Sequence, residues 1–209
     1  PNTQAGFISE SGQLHGLVDL TPQKQLEIQP FTVLQYDSYP KEGNNPYRNG
    51  SDFKANAGLD AKIGITNDLT LDLTVNPDFG QVEADPGAIA LDGFQIFFRE
   101  QRPFFVENKN IFDFEFANGS DNLFYSRRVG RNPHRGANLS NGEFADVPLN
   151  STILGAAKFS GKTQNGWSLG ILESVTGNEY ATIKQVNGNT REEILEPLTN
   201  YFVTRVQKD

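Results

Sequence analysis

Leu69-Thr70-Leu71-Asp72-Leu73-Thr74-Val75-Asn76 alternates without a fault. Leu69, Leu71, Leu73 and Val75 fall on one side, and Thr70, Asp72, Thr74 and Asn76 on the other. Successive side chains of a strand point to opposite faces, so this strand divides an apolar phase from a wet one. The pattern then breaks at Asn76-Pro77-Asp78-Phe79-Gly80-Gln81-Val82-Glu83-Ala84-Asp85-Pro86. An aromatic and charged run follows, Phe97-Phe98-Arg99-Glu100-Gln101-Arg102-Pro103-Phe104-Phe105. The strand says where the chain sits; the polar stretch beyond it is where function is expected.

Outward from that strand, further runs read as strands at 25–36, 53–65, 151–160, 167–176 and 200–207. Asn187-Gly188 marks a further hairpin joining 180–186 to 190–195, and Asn165-Gly166 marks the best-flanked hairpin of all. Several runs approach the roughly 9 to 11 residues of a tilted membrane-spanning strand. The connections alternate: long at 37–52, short at 66–68, long at 77–150, short at 161–166, then long again. That rhythm suits an outer-membrane barrel with short periplasmic turns and long outer loops. A soluble antiparallel sandwich with unequal loops fits it too. The expected fold class is all-β, with antiparallel up-and-down strands forming part of an outer-membrane-type β-barrel. Residues 1–24 read as a lead-in, and 25–209 as the N-terminal part of the barrel-like domain with an insert at 77–150. The insert is expected to carry one short helix over 86–98. Asp85 caps it, Pro86 takes its first position, and Leu91, Phe94 and Phe98 share a face.

Composition narrows the classes. The 209 residues hold 26 acidic and 18 basic side chains, a net charge of −8, which speaks against a nucleic-acid partner. No cysteine is present, so disulfides and thiolate metal sites are excluded within this sequence. No apolar run is long enough for a spanning helix. With no methionine and no signal peptide, the chain is expected to be a processed or excised piece.

Four motifs carry a family resemblance. They are Gly58-Leu59-Asp60-Ala61-Lys62-Ile63-Gly64-Ile65-Thr66, the run Leu69 to Pro86, the run Phe97 to Phe105, and Leu123-Phe124-Tyr125-Ser126-Arg127-Arg128-Val129-Gly130-Arg131. The chain resembles, over roughly residues 17 to 209, envelope proteins common in Bacteroidota and of poorly defined function. In these a family-9-like carbohydrate-binding module precedes a large domain that looks like an outer-membrane β-barrel. The resemblance implies the opening third or so of that barrel-like domain, without the carbohydrate module. It implies a bacterial outer-membrane location, and it supplies no established catalytic residues to carry over.

Three clusters are candidate sites. Asp78, Glu83 and Asp85, with Asn76, offer oxygen ligands on a glycine-containing loop, a donor set for Ca²⁺; turn closure and helix capping explain the same residues. Arg99, Glu100 and Arg102 lie between phenylalanine pairs. There they either face a lumen and hold a carboxylate or phosphate, or staple the insert by ion pairs with Glu83, Asp85 or Glu107. Arg127, Arg128, Arg131, His134 and Arg135 form a basic loop in an acidic chain, suited to lipid phosphates, an anionic sugar, or plain solvation. At least one direct arginine–carboxylate pair is expected inside the insert. No hydrolase or P-loop signature is present.

The expected partners are outer-membrane lipid, a glycan or anionic solute, and further strands or a partner protein to close the sheet. The expected function is transport or surface handling of a solute. The alternative is a soluble carbohydrate-active hydrolase or carbohydrate-binding β domain. The fate of Leu69, Leu71, Leu73 and Val75 separates the two: bare in a barrel, buried against a second sheet in a sandwich.

Overall fold

The computed structural model describes residues 12, 15–16, 25–77, 98–116 and 121–208. In chain order these hold β1 (Leu26–Ser38), β2 (Ser51–Gly64), β3 (Leu69–Val75), α1 (Pro103–Val106), α2 (Lys109–Phe112), β4 (Glu115–Phe116), β5 (Asp121–Asn122) and β6 (Phe144–Asp146). Then come β7 (Ile153–Lys162), β8 (Trp167–Thr176), β9 (Glu179–Lys184), β10 (Thr190–Glu196) and β11 (Thr199–Lys208).

Six strands form one antiparallel sheet in the order β1-β2-β3-β7-β8-β11, a meander that is not closed. Two tight turns join it at one end. At residues 65–68 the Thr66 hydroxyl accepts from the amides of Asp68 and Leu69. At 163–166 Gly166 supplies a φ of +76°, a conformation glycine adopts without a steric penalty. The loop at 39–50, the excursion between β3 and β7, and the β8–β11 connection all leave and rejoin the sheet at the other end. β9 and β10 extend the β8–β11 connection as a hairpin, which takes β6 as a third strand. A small core of Ala181, Ile183 and Leu195 holds that rim sheet against Ala137 and Ala145.

β3 stops where its alternation stops. Asn76 adopts a left-handed φ of +50°. Its amide nitrogen donates to Asn56 Oδ1 at 2.6 Å and to the Ala57 carbonyl at 2.7 Å, clipping the strand end to β2.

The register sets two adjacent rows across all six strands. One reads Leu26, Ile63, Leu71, Phe159, Ile171 and Thr204; the next reads Glu27, Lys62, Asp72, Lys158, Leu172 and Val203. The first row belongs to a face that stays bare: Ile28 is 61 % exposed, Leu34 66 %, Phe53 63 % and Phe202 62 %. The second belongs to the face that the insert covers. There Phe104, Phe105 and Phe112 of the insert pack with Val129, Ile153, Ala156 and Leu172 in the main core.

The insert's helices differ from the expected one. α1 and α2 are single turns of four residues each. Pro103 opens α1, where its missing amide hydrogen costs nothing. The helix expected at 86–98 lies outside the described residues apart from Phe98, which is not helical.

Candidate functional site

Charged side chains brace the insert internally and pin it to the sheet, at three levels in all. Deepest in the insert, Arg102 forks onto Glu100, with Nε 2.8 Å from Oε1 and Nη2 2.7 Å from Oε2. Arg102 also donates to the carbonyls of Val129 and Ser126 at 2.8 and 2.9 Å, and its guanidinium lies 4.2 Å from the Phe105 ring centre. The Ser126 hydroxyl donates to Glu100 at 2.5 Å. Burial pushes the Glu100 carboxyl up, but the hydrogen bonds and charge of Arg102, with Ser126, outweigh it and hold it below the ordinary glutamate range. This is the arginine–carboxylate pair that the sequence led us to expect.

At the sheet surface, the row Glu27, Lys62, Asp72, Lys158 alternates in sign across β1, β2, β3 and β7. Lys62 reaches up to Glu107 of the insert. Lys158 donates to the carbonyls of Phe104 and Glu107, at the C-terminal end of α1, and sits 3.4 Å from Asp72. Thr74 donates to Asp60 at 2.6 Å one row away. Farther along the sheet, Arg205 of β11 donates to the carbonyls of Asn110, Ile111 and Asp113 around α2. A cavity of about 120 Å³ remains between β1–β3 and α1, lined by Glu27, Asp60, Lys62, Asp72, Phe104 and Glu107 among others.

The long-loop end holds a wider cleft of about 380 Å³. Gln35, Lys54, Asn56, Asn76, Asn150, Ser151 and Thr152 line it. It opens where β2 runs on past the end of β3: Leu59 is the last β2 residue paired to β3, and 51–58 have no strand partner on that side among the described residues. The amides and hydroxyls here, beside the Lys54 ammonium, suit a ligand rich in hydroxyl groups.

The basic loop threads from the insert core to the rim. Arg127 donates to the Arg99 carbonyl at 2.9 Å and lies 5.8 Å from the Phe98 ring centre. Arg128, Arg131 and Arg135 are exposed. His134 meets Glu196 of β10 twice, through its backbone amide at 2.8 Å and its Nδ1 at 2.6 Å. Burial pushes the Glu196 carboxyl up, and the His134 contacts outweigh it and hold it below the ordinary range.

A family model described as a domain of unknown function, DUF5916, matches residues 22–209. The chain belongs to the DUF5916 family. Neither the curated proteins nor the solved structures contain a match to it.

In this DUF5916 chain the expected sites separate. Asp78, Glu83 and Asp85 lie outside the described residues. Among the described residues no group of three or more His, Asp or Glu is arranged to hold a metal ion. Glu100 and Arg102 do come together, each engaged by the insert itself. Arg99 and Arg127 meet through a backbone carbonyl rather than through a shared ligand position. Sequence reasoning missed the row of Lys62, Asp72 and Lys158. The signal was there: Ala156, Lys158 and Ser160 alternate with Gly155, Ala157 and Phe159, the same polar-against-apolar pattern as in β3.

Proposed function

We propose that the chain is part of the wall and the internal plug of a bacterial outer-membrane β-barrel that transports a solute or handles it at the surface. The observation that carries this reading is which face is covered. A soluble sandwich buries its apolar face against a second sheet. Here the insert covers the polar face, and the apolar one stays bare over six strands. A contiguous apolar face of this size needs a partner, and hydrocarbon suits this one, whose polar interruptions are Thr32, Thr204 and the Asn200–Glu173 pair. From Leu26 to Tyr36 β1 takes ten steps, about 33 Å at roughly 3.3 Å per residue. At a tilt of about 40° that spans roughly 25 Å, the height of an outer-membrane apolar band. Aromatics stand at both ends, Trp167 beside a tight turn and Tyr36 opposite Phe53 at the long-loop end, as in interfacial girdles.

Closure then requires further strands, of the same protein or of a partner, on the open edges of β1 and β11. The amide-lined cleft suits a glycan, and the exposed arginines suit an anionic group on it. That solute class agrees with the resemblance to Bacteroidota envelope proteins that carry a carbohydrate-binding module.

The full-length protein should fractionate with the outer membrane and resist carbonate extraction. Nitroxide labels at 71, 159 and 171 should be reached by oxygen and shielded from a water-soluble nickel chelate, with the reverse at 35 and 54. Release by carbonate, or nickel access at all three outward positions, defeats the reading.

A further inference from the structure

We infer that Asp72 and Lys158 form a modification site, an intramolecular amide cross-link between Lys158 Nζ and the side-chain carboxyl carbon of Asp72. The two residues stand directly opposite each other on β3 and β7. Both are buried, Lys158 at 1 % exposure and Asp72 at 5 %. Nζ lies 3.4 Å from Oδ2, longer than the roughly 2.7–2.9 Å of a charge-assisted hydrogen bond. That distance leaves Nζ unengaged by that oxygen yet beside the carboxyl group, whose Cγ is one bond from Oδ2. Neither carboxylate oxygen of Asp72 accepts a hydrogen bond among the described residues. A neutral amine has two N–H bonds and one lone pair. With one N–H on the Phe104 carbonyl and one on the Glu107 carbonyl, the lone pair is left on the Asp72 side. The Phe104 ring lies 4.8 Å from Nζ.

The step balances without an external reagent. A proton passes from the ammonium to the carboxylate within the pair, giving amine and acid with no change in total charge. Nζ attacks Cγ, the C–N bond forms, the C–O bond breaks, and the hydroxyl leaves as water with one Nζ proton. The cavity of about 120 Å³ receives the water. Two charges that are costly to bury become one neutral amide. The link would join the two neighbouring strands separated by the insert, closing the longest connection of the meander. It does not depend on the membrane reading.

The test is intact-mass and peptide mass spectrometry on the folded full-length protein. The expected result is a mass below the sequence mass by one water, and a branched tryptic peptide joining Asp72 to an uncleaved Lys158. Lys158→Arg should sit at its full sequence mass. Asp72→Asn should still cross-link, losing ammonia instead of water and arriving at the same product. Wild type and Asp72→Asn both at full sequence mass when folded, with normal cleavage after Lys158 once denatured, would overturn the inference.

Discussion

Arg102 spends its donors on one carboxylate and two carbonyls, so its removal strands Glu100 in a pocket that leaves it 2 % exposed. Breaking a buried pair by deleting one partner costs about 3–5 kcal/mol. Arg102→Ala is therefore expected to loosen the insert, read as faster proteolysis within residues 98–130 while the sheet stays protected. Arg128→Ala, on an exposed side chain, should change little. The same pair sets an acid limit. Glu100 is held below its ordinary range, so its contribution is complete above that range and is lost as pH falls through the lowered value. Neutral buffers should show none of this loss. Insert protection should fall only in acid, and Glu100→Gln should be looser at neutral pH and lack that acid step. A wild-type insert equally protected at pH 7 and well below the glutamate range would remove Glu100 from the account.

At the scale of elements, α2 sits close to β8 because Gly170 has no side chain. A Cβ there would meet Ile111 Cγ2 at 2.7 Å and Phe112 Cε1 at 3.0 Å. Gly170→Val should push α2 off the sheet at about 1–3 kcal/mol, the usual cost of overpacking. Calorimetry would show it, and an unchanged melting temperature would mean that α2 is not docked as described. Trp167 makes the opposite case. It lies on the bare face, 5.5 Å from the Lys208 ammonium, while Ser168 faces the covered side. Trp167→Ala should slow assembly more than Ser168→Ala, followed by heat-modifiable mobility on a gel. These strands were legible in the sequence because a period of two needs only a few residues to declare itself. β8 falls where Trp167-Ser168-Leu169-Gly170-Ile171 places it, and β3 ends at its asparagine. The insert was not legible, because four-residue helices carry no measurable period and their positions are set by long-range donors such as Lys158 and Arg205. Which carboxylate takes Arg102 was not legible for a related reason. Glu83, Asp85, Glu100 and Glu107 all offer one, and only the bend between positions 100 and 102 selects Glu100.

For the whole molecule, the two faces of one sheet make opposite demands on the same substitution. Leu71 and Ile171 belong to the bare apolar row, and Gln29 lines the wet cavity beside α1. If hydrocarbon meets the bare face, an arginine near its middle costs about 2–4 kcal/mol, while a lumen position tolerates charge. Leu71→Arg and Ile171→Arg should each lower the yield of heat-modifiable, membrane-inserted protein, and Gln29→Arg should not. A soluble protein predicts the reverse order: arginine on an exposed apolar face raises solubility, and arginine beside the insert disturbs docking. The sign of the difference between Leu71→Arg and Gln29→Arg, measured in the same membrane fraction, therefore decides whether this sheet is a wall in lipid or a surface in water.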